Sequence, residues 1–248
     1  MSLIGDAVRV AMSDLFYLKR NIWVLLATSL VTPLLYLVAF GYGLGQGVIM
    51  DGVPYLAFMI PGVVALTTLT SSFTSIANKI MIQRRFYESF DELRLCPISC
   101  ASIILGKTVL GVVKGMLCGL LLLLLGHFLC AELQITAGLL LLMLLSCLVY
   151  ALLGVTAGLL VRGLPTMNLF TSFVILPMTF LCGTMFSLDA LPSAAQDIIW
   201  ALPLTHTTEC IRASALGWSF PWLSLLVLIV YAVVFYTISW YVLKNGKE

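Results

Sequence analysis

Gly106-Lys107-Thr108 is the first place to look for chemistry, because Gly-Lys-Thr ends a phosphate-binding loop. That loop needs G-x-x-x-x-G-K-[ST], with glycines whose backbone donors wrap the phosphates, and a strand ahead of it. Here position 101 is Ala, Ser-Ile-Ile-Leu fills the interval, and the segment runs on as an apolar helix. The wording is therefore not a nucleotide site. Lys107 and Lys114 are seven residues apart, about 10 Å along one helix face. A lysine inside an apolar span is a functional candidate. For Lys107, near the end of its span, the alternative is snorkelling; for Lys114, which is deeper, the alternatives are snorkelling, a structural ion pair, or contact with an anionic head group. Lys114 borders a Gly111, Gly115, Gly119 ladder, the small-xxx-small spacing that favours close helix packing, so it faces protein or a watery path. Glu209 and Arg212, at i and i+3, are placed to pair across one helical turn or to line a route.

Other chemistries lack their residues. The seven cysteines, at 96, 100, 118, 130, 147, 182 and 210, have no CxxC or Cys/His metal spacing, and nothing in their spacing argues that Cys130 and Cys210 pair. His127 and His206 stand alone near apolar boundaries. No Ser/His/Asp arrangement and no inward-facing pair of carboxylates is evident within the spans. No catalytic site, metal or resident cofactor is expected.

The elements that position these residues are set by composition. Of 248 residues, 61% are hydrophobic and 10% charged, against about 25% charged in soluble domains. The apolar residues come in blocks of about twenty, the length that crosses a ~30 Å hydrocarbon core. An all-α integral membrane fold follows, a single domain over 1–248. Its six spans are expected at about 22–40, 54–78, 101–125, 136–161, 166–186 and 220–243, with a kink at Pro61-Gly62.

Residues 1–20 read as an amphipathic interfacial helix rather than a frayed tail. Ile4, Ala7, Val8, Ala11, Met12, Leu15 and Leu18 form one stripe, and Asp6, Arg9, Ser13, Tyr17 and Arg20 another. The segment is no cleavable signal peptide, since its first apolar run is too long and no A-x-A site follows. Basic residues fix orientation. Arg9, Lys19, Arg20, Lys79, Arg84, Arg85, Arg94, Arg162, Lys244 and Lys247 all fall on one side, and Arg212 is the lone basic residue on the other. Both termini are then cytoplasmic. Segment 187–218 is too long for a turn and too apolar for a free loop. It reads as a re-entrant helical hairpin broken at Pro203, with Thr205 capping a second helix through Arg212. A surface hairpin is the alternative.

The densest charge lies between the second and third spans: Lys79, Arg84, Arg85, Glu88, Asp91, Glu92 and Arg94. Read as one helix from Lys79 to Leu95, with Arg84–Glu88 at i, i+4, it sets Ile82, Phe86, Phe90 and Leu93 on one face. Pro97 stops it and Ser99 caps the next helix. Its carboxylates argue against a purely lipid contact, since an anionic leaflet attracts basic segments. Mixed charge suits a protein partner.

Three stretches carry a resemblance. YLAFMIPGVVAL (55–66), FYESFDELRLCPISCASIILGK (86–107) and PMTFLCGTMFSLDALPSAAQDIIWALPLTHTTECIRASALG (177–217) resemble the membrane subunits of ATP-binding-cassette exporters of the type-two class. Leu-Pro-Leu-Thr-His is closest in wording to the nodulation-factor and drug-export permeases. The resemblance covers essentially the whole chain. It implies that loop 79–97 is a coupling helix docked on a separate cytosolic ATPase, which holds the ATP and Mg. Arg84, Arg85, Phe86, Glu88, Asp91, Glu92 and Leu95 would carry the docking. It also implies pairing with a second six-span subunit, as a homodimer or a paired permease, in the inner or plasma membrane. Lys107 and Lys114 would lie by the substrate path, and Pro203, Thr205, Glu209 and Arg212 by the outer gate. The cargo would be lipid-like, saccharide or drug-like, and no nucleic-acid partner is implied. An ATP-independent carrier or channel would need a buried ionisable relay that the sequence does not display; a non-transporting scaffold would need no cargo.

Overall fold

A computed structural model describes residues 3–44, 47–87, 89–130, 133–186 and 192–245. An opening helix α1 (Leu3–Arg20) precedes α2 (Ile22–Tyr36), which continues through a π-helical turn to Leu44. A two-residue hairpin, β1 (Ile49–Met50) with β2 (Val53–Pro54), leads into α3 (Tyr55–Arg85). Then come α4 (Ser89–Leu95), α5 (Cys100–Leu129) and α6 (Ala137–Leu160). Helix α7 (Leu164–Phe170) joins α8 (Leu176–Leu181) through a second π-helical turn, and α9 (Ser193–Trp200), α10 (Pro203–Leu216) and α11 (Trp222–Asn245) complete the order. Six of these stretches are long and apolar enough to cross a membrane: Ile22–Gly41, Tyr55–Arg85, Cys100–Leu129, Ala137–Leu160, Leu164–Leu181 and Trp222–Asn245.

Helix α3 is the centre of the bundle, packed against α5, α6 and α10. Its window is 89% buried, whereas the first, fifth and sixth spans are 11%, 17% and 17% buried. Glycine makes the central packing this close. A Cβ at Gly111 would meet Ala151 and Ile76 at 2.8 Å, and one at Gly119 would meet Met143 at 2.8 Å. A Cβ at Gly115 would lie 2.0 Å from Ser72 Oγ. Gly115→Ala is expected to cost about 1–3 kcal/mol through overpacking, read as a lower melting temperature in detergent.

Several boundaries differ from the sequence reading. The second span runs through Pro61-Gly62 and on to Arg85 rather than stopping at Asn78. The chain turns at Phe86-Tyr87, so the surface helix is the short α4 rather than one helix from Lys79. Pro97 follows α4, and Ser99 Oγ accepts from Ser102 N at 3.1 Å to cap α5. The fifth span stops at Leu181, not Phe186. Residues 187–191, at the start of the re-entrant stretch, lie outside the described residues.

Helix α10 begins with Pro203 in its first turn, where the missing N–H costs nothing. Thr205 is not its cap; its hydroxyl donates to Ile199 O at 2.7 Å and ties α10 to α9. The helix runs past Arg212 and ends at Gly217, whose φ of 70° suits glycine. Because α10 packs on α3, α6 and α11 and is mostly buried, it is not a surface hairpin.

Helix α1 turns one flank toward the bundle. Ile4, Val8 and Met12 are exposed, while Val10, Ala11, Leu18 and the carboxylates Asp6 and Asp14 are buried. Helix α1 crosses α5 at Gly106, where a Cβ would sit 2.7 Å from Ala7 O. Ser102 Oγ donates to Leu3 O at 3.0 Å at the same crossing. Gly106, the glycine of the apparent phosphate motif, serves a helix crossing.

Candidate functional site

The lysine after Gly106 completes that crossing. Lys107 Nζ lies 3.1 Å from Asp14 Oδ2 and 2.9 Å from Gln83 Oε1. Lys79 Nζ lies 2.8 Å from Asp14 Oδ1 and 4.5 Å from the Tyr17 ring centroid. One carboxylate from α1 therefore joins the last turns of α3 to the first turns of α5. Lys107 does not snorkel: its side chain is 4% exposed and fully engaged. Sequence reasoning missed Asp14, although a lone acid four residues from Val10 and four from Leu18 on one helix face was a signal. A lysine inside a span also asks for a counter-acid.

Two cavities open beside this cluster. The nearer, about 490 Å³, is lined by residues that include Tyr17, Asn78, Lys79, Gln83, Tyr87 and Ser89. The farther, about 320 Å³, is lined by the hydroxyl-bearing residues Thr28, Ser29, Thr32, Thr70, Ser71 and Thr179 together with Pro33, Tyr36 and Leu66. Thr74 and Lys114 line both, so they form the shared wall. Lys114 is near the middle of the 30-residue α5 and 7% exposed. Its neighbour Lys107 lines neither cavity, so the two lysines have separate roles.

The charged surface resolves into parts. Arg84 reaches the last carbonyls of α6, with Gly158 O at 3.4 Å and Leu159 O closer, so it anchors α3. Phe90 is buried among Ile103, Ile104 and Leu152 and seats α4 on the bundle. Arg85, Phe86, Tyr87, Glu92 and Leu95 are exposed, Leu95 by 87%. Glu88 lies outside the described residues; Asp91 is on α4, but its side chain is not described.

At the other end of the bundle, Arg212 is 8% exposed. It does not pair with Glu209. Its Nη2 donates to Gly183 O at 2.8 Å, its Nε to Phe58 O at 3.3 Å, and the guanidinium lies 3.7 Å from the Phe58 ring centroid. Glu209 instead accepts from Ser224 Oγ at 2.6 Å. Ser224 Oγ is 3.1 Å from His206 Nδ1, whose Nε2 is 2.8 Å from Trp200 O. Sequence reasoning found no Ser/His/acid group, and the fold builds one. Its order is not hydrolytic: the carboxylate touches the serine rather than the imidazole, and both histidine nitrogens are occupied. Its role is to bind α10 to α11 and α9. His127 Nδ1 is 3.1 Å from Leu133 O. Cys130 and Cys210 are free thiols.

The fold is thus an all-α bundle with six apolar spans, a seated surface helix and two adjoining cavities that share Lys114. The family model described as ABC-2 type transporter matches residues 8–216, and the chain belongs to that family. It is 27% identical to the inner membrane transport permease YadH of Escherichia coli K12, over 92% of this chain and 90% of that protein. It is 29% identical to Nodulation protein J of Rhizobium leguminosarum bv. viciae, over 88% and 85%. The Rhizobium meliloti protein of the same name is 29% identical over 76% and 73%.

Proposed function

We propose that this chain is the permease half of an ATP-driven exporter, working in the inner membrane with both termini cytoplasmic. A separate ATPase, which holds the ATP and Mg, docks on the exposed Arg85, Phe86, Tyr87, Glu92 and Leu95, joined by Glu88 and Asp91. The observation that carries this reading is the seating of that surface. Phe90 is buried under α4 and Arg84 grips the end of α6, so a push on α4 moves spans rather than a loose loop. The Asp14 cluster ties α1 and α5 to the same turn of α3.

The cargo, lipid-like, saccharide or drug-like, moves outward along the Lys114 passage. Thr28, Thr32, Thr74 and Asn78 are exposed on a face of α2 and α3. Hydrocarbon is a poor neighbour for a hydroxyl stripe, which supports a second six-span subunit covering it and closing the passage. Arg212, Glu209, Thr205 and Pro203 hold the outer end closed. The names of the relatives, one an inner membrane transport permease, agree with this reading.

The test is charge reversal at Glu88, Asp91 and Glu92 together. The triple Lys variant is expected to be made and inserted normally, yet to lose co-purification with the ATPase subunit and cargo-stimulated ATP hydrolysis. Normal coupling in that variant would remove the docking assignment. Transport that persists without any ATPase would favour a carrier.

A further inference from the structure

Most buried cations of the described chain are satisfied within the fold. Lys107 has Asp14 and Gln83, Lys79 has Asp14 and Tyr17, and Arg212 has two carbonyls and a ring. Lys114 has no hydrogen-bond or ion-pair partner among the described residues, although more than nine-tenths of it is buried. Its side chain lines both cavities. A buried ammonium left unpaired is costly, and none of the described residues supplies the partner this charge calls for.

The walls say what else that partner carries. The Thr28 hydroxyl donates to Val24 O at 2.9 Å, Thr70 to Leu66 O at 3.0 Å, Thr179 to Leu176 O at 2.7 Å, and Thr74 to Thr70 O. A hydroxyl has one proton and two acceptor lone pairs. These four have spent the proton on their own helices, so they face the cavity as acceptors. The Ser71 hydroxyl lacks a hydrogen-bond partner. One ammonium set among acceptor oxygens suits a ligand with one anionic group and several O–H donors. A bare phosphate ester offers no such donors, and a neutral sugar leaves the lysine unpaired.

We propose that Lys114 anchors the head group of a hydroxyl-bearing anionic amphiphile, a polyol or sugar carrying a phosphate or carboxylate. The anion sits on Lys114 and the ligand's hydroxyls donate to Thr28, Thr70, Thr74 and Thr179. This rests on the permease reading only in placing the cavity on the transport route. Its test needs no ATP and no ATPase, so loss of ATPase coupling and loss of binding are separate outcomes.

Equilibrium binding to the full chain in neutral detergent would compare three probes. Phosphatidylglycerol has the anion, hydroxyls and tails. A glucosyl diacylglycerol has hydroxyls and tails without the anion. Glycerol phosphate has the anion and hydroxyls without tails. The wild type is expected to prefer phosphatidylglycerol to the glycolipid by about tenfold or more, the scale of one charge-assisted hydrogen bond. Lys114→Gln should abolish that preference, bringing the affinity for phosphatidylglycerol down to that for the glycolipid, and Lys114→Arg should retain it. Glycerol phosphate binding as tightly as the lipid would assign the site to a soluble anion and overturn the amphiphile. Equal wild-type affinity for both lipids, or a preference that survives Lys114→Gln, would overturn the proposal. Thr74→Val, which removes one acceptor and no charge, should weaken both lipids alike; an unchanged affinity for both would refute the role given to the hydroxyls.

Discussion

Asp14→Asn is expected to cost about 3–5 kcal/mol, the scale of breaking a buried ion pair from one side. Among the described residues, Asp14 is the one carboxylate in contact with Lys79 and Lys107, and its side chain is 2% exposed. Without its charge, Lys107 is left at 4% exposure with a neutral amide and Gln83 for company. Lys107→Met should cost much less, because Asp14 keeps Lys79 at 2.8 Å. Asp14→Asn combined with Lys107→Met should recover much of the loss, since removing both members of a buried pair is often nearly neutral. Melting of the purified chain, followed by gel filtration after heating, separates these cases. If Asp14→Asn melts like the wild type, α1 is a passenger and not a strut.

The second large effect is expected at the opposite end. A Cβ at Gly62 would stand 2.1 Å from Thr184 O and 2.9 Å from Thr184 C. Backbone cannot swing aside as a side-chain tip can. Gly62→Ala must therefore displace the chain at 183–185, which Arg212 holds through Gly183 O and Tyr55 through Met185 O at 2.9 Å. The expected cost is at the upper end of the usual overpacking range of about 1–3 kcal/mol. Arg212→Ala attacks the same segment from the other side, so the two losses should add to less than their sum. Limited proteolysis near residue 184 would show which variants have released it. Full additivity of the two melting shifts would mean that Gly62 and Arg212 act on separate things.

Much of this architecture was legible in advance because membrane spans are written in long blocks. Twenty apolar residues carry their own assignment, and a Ser before an apolar run, as at Ser99, carries a cap. What was hidden depends on residues far apart in the chain. Asp14 and Lys107 are 93 positions apart, and no helical period links them. Gly106 reads as part of a phosphate motif until α1 is seen to cross it. Arg84 reads as surface charge until the end of α6 arrives beneath it. Glu209 and Arg212 follow the rule for neighbours one turn apart, yet Glu209 finds Ser224 on α11, and Arg212 finds Phe58 on α3 and the bend at Gly183. No local signal marks the break after Arg85 that leaves Phe86 and Leu95, the proposed docking residues, exposed.

The Asp14 strut also bears on how the protein is made. The third span carries Lys107 and Lys114, and a lysine at the centre of a span costs about 2.5–3.5 kcal/mol on insertion scales, less toward the end where Lys107 sits. Synthesis delivers Asp14 first and Lys107 some ninety residues later. The first helix thus holds a counter-charge ready for a span still inside the ribosome. Variants that lack α1 would lose that counter-charge before the third span needs it. Their failure would show as poor membrane integration, at a step earlier than any assay of transport.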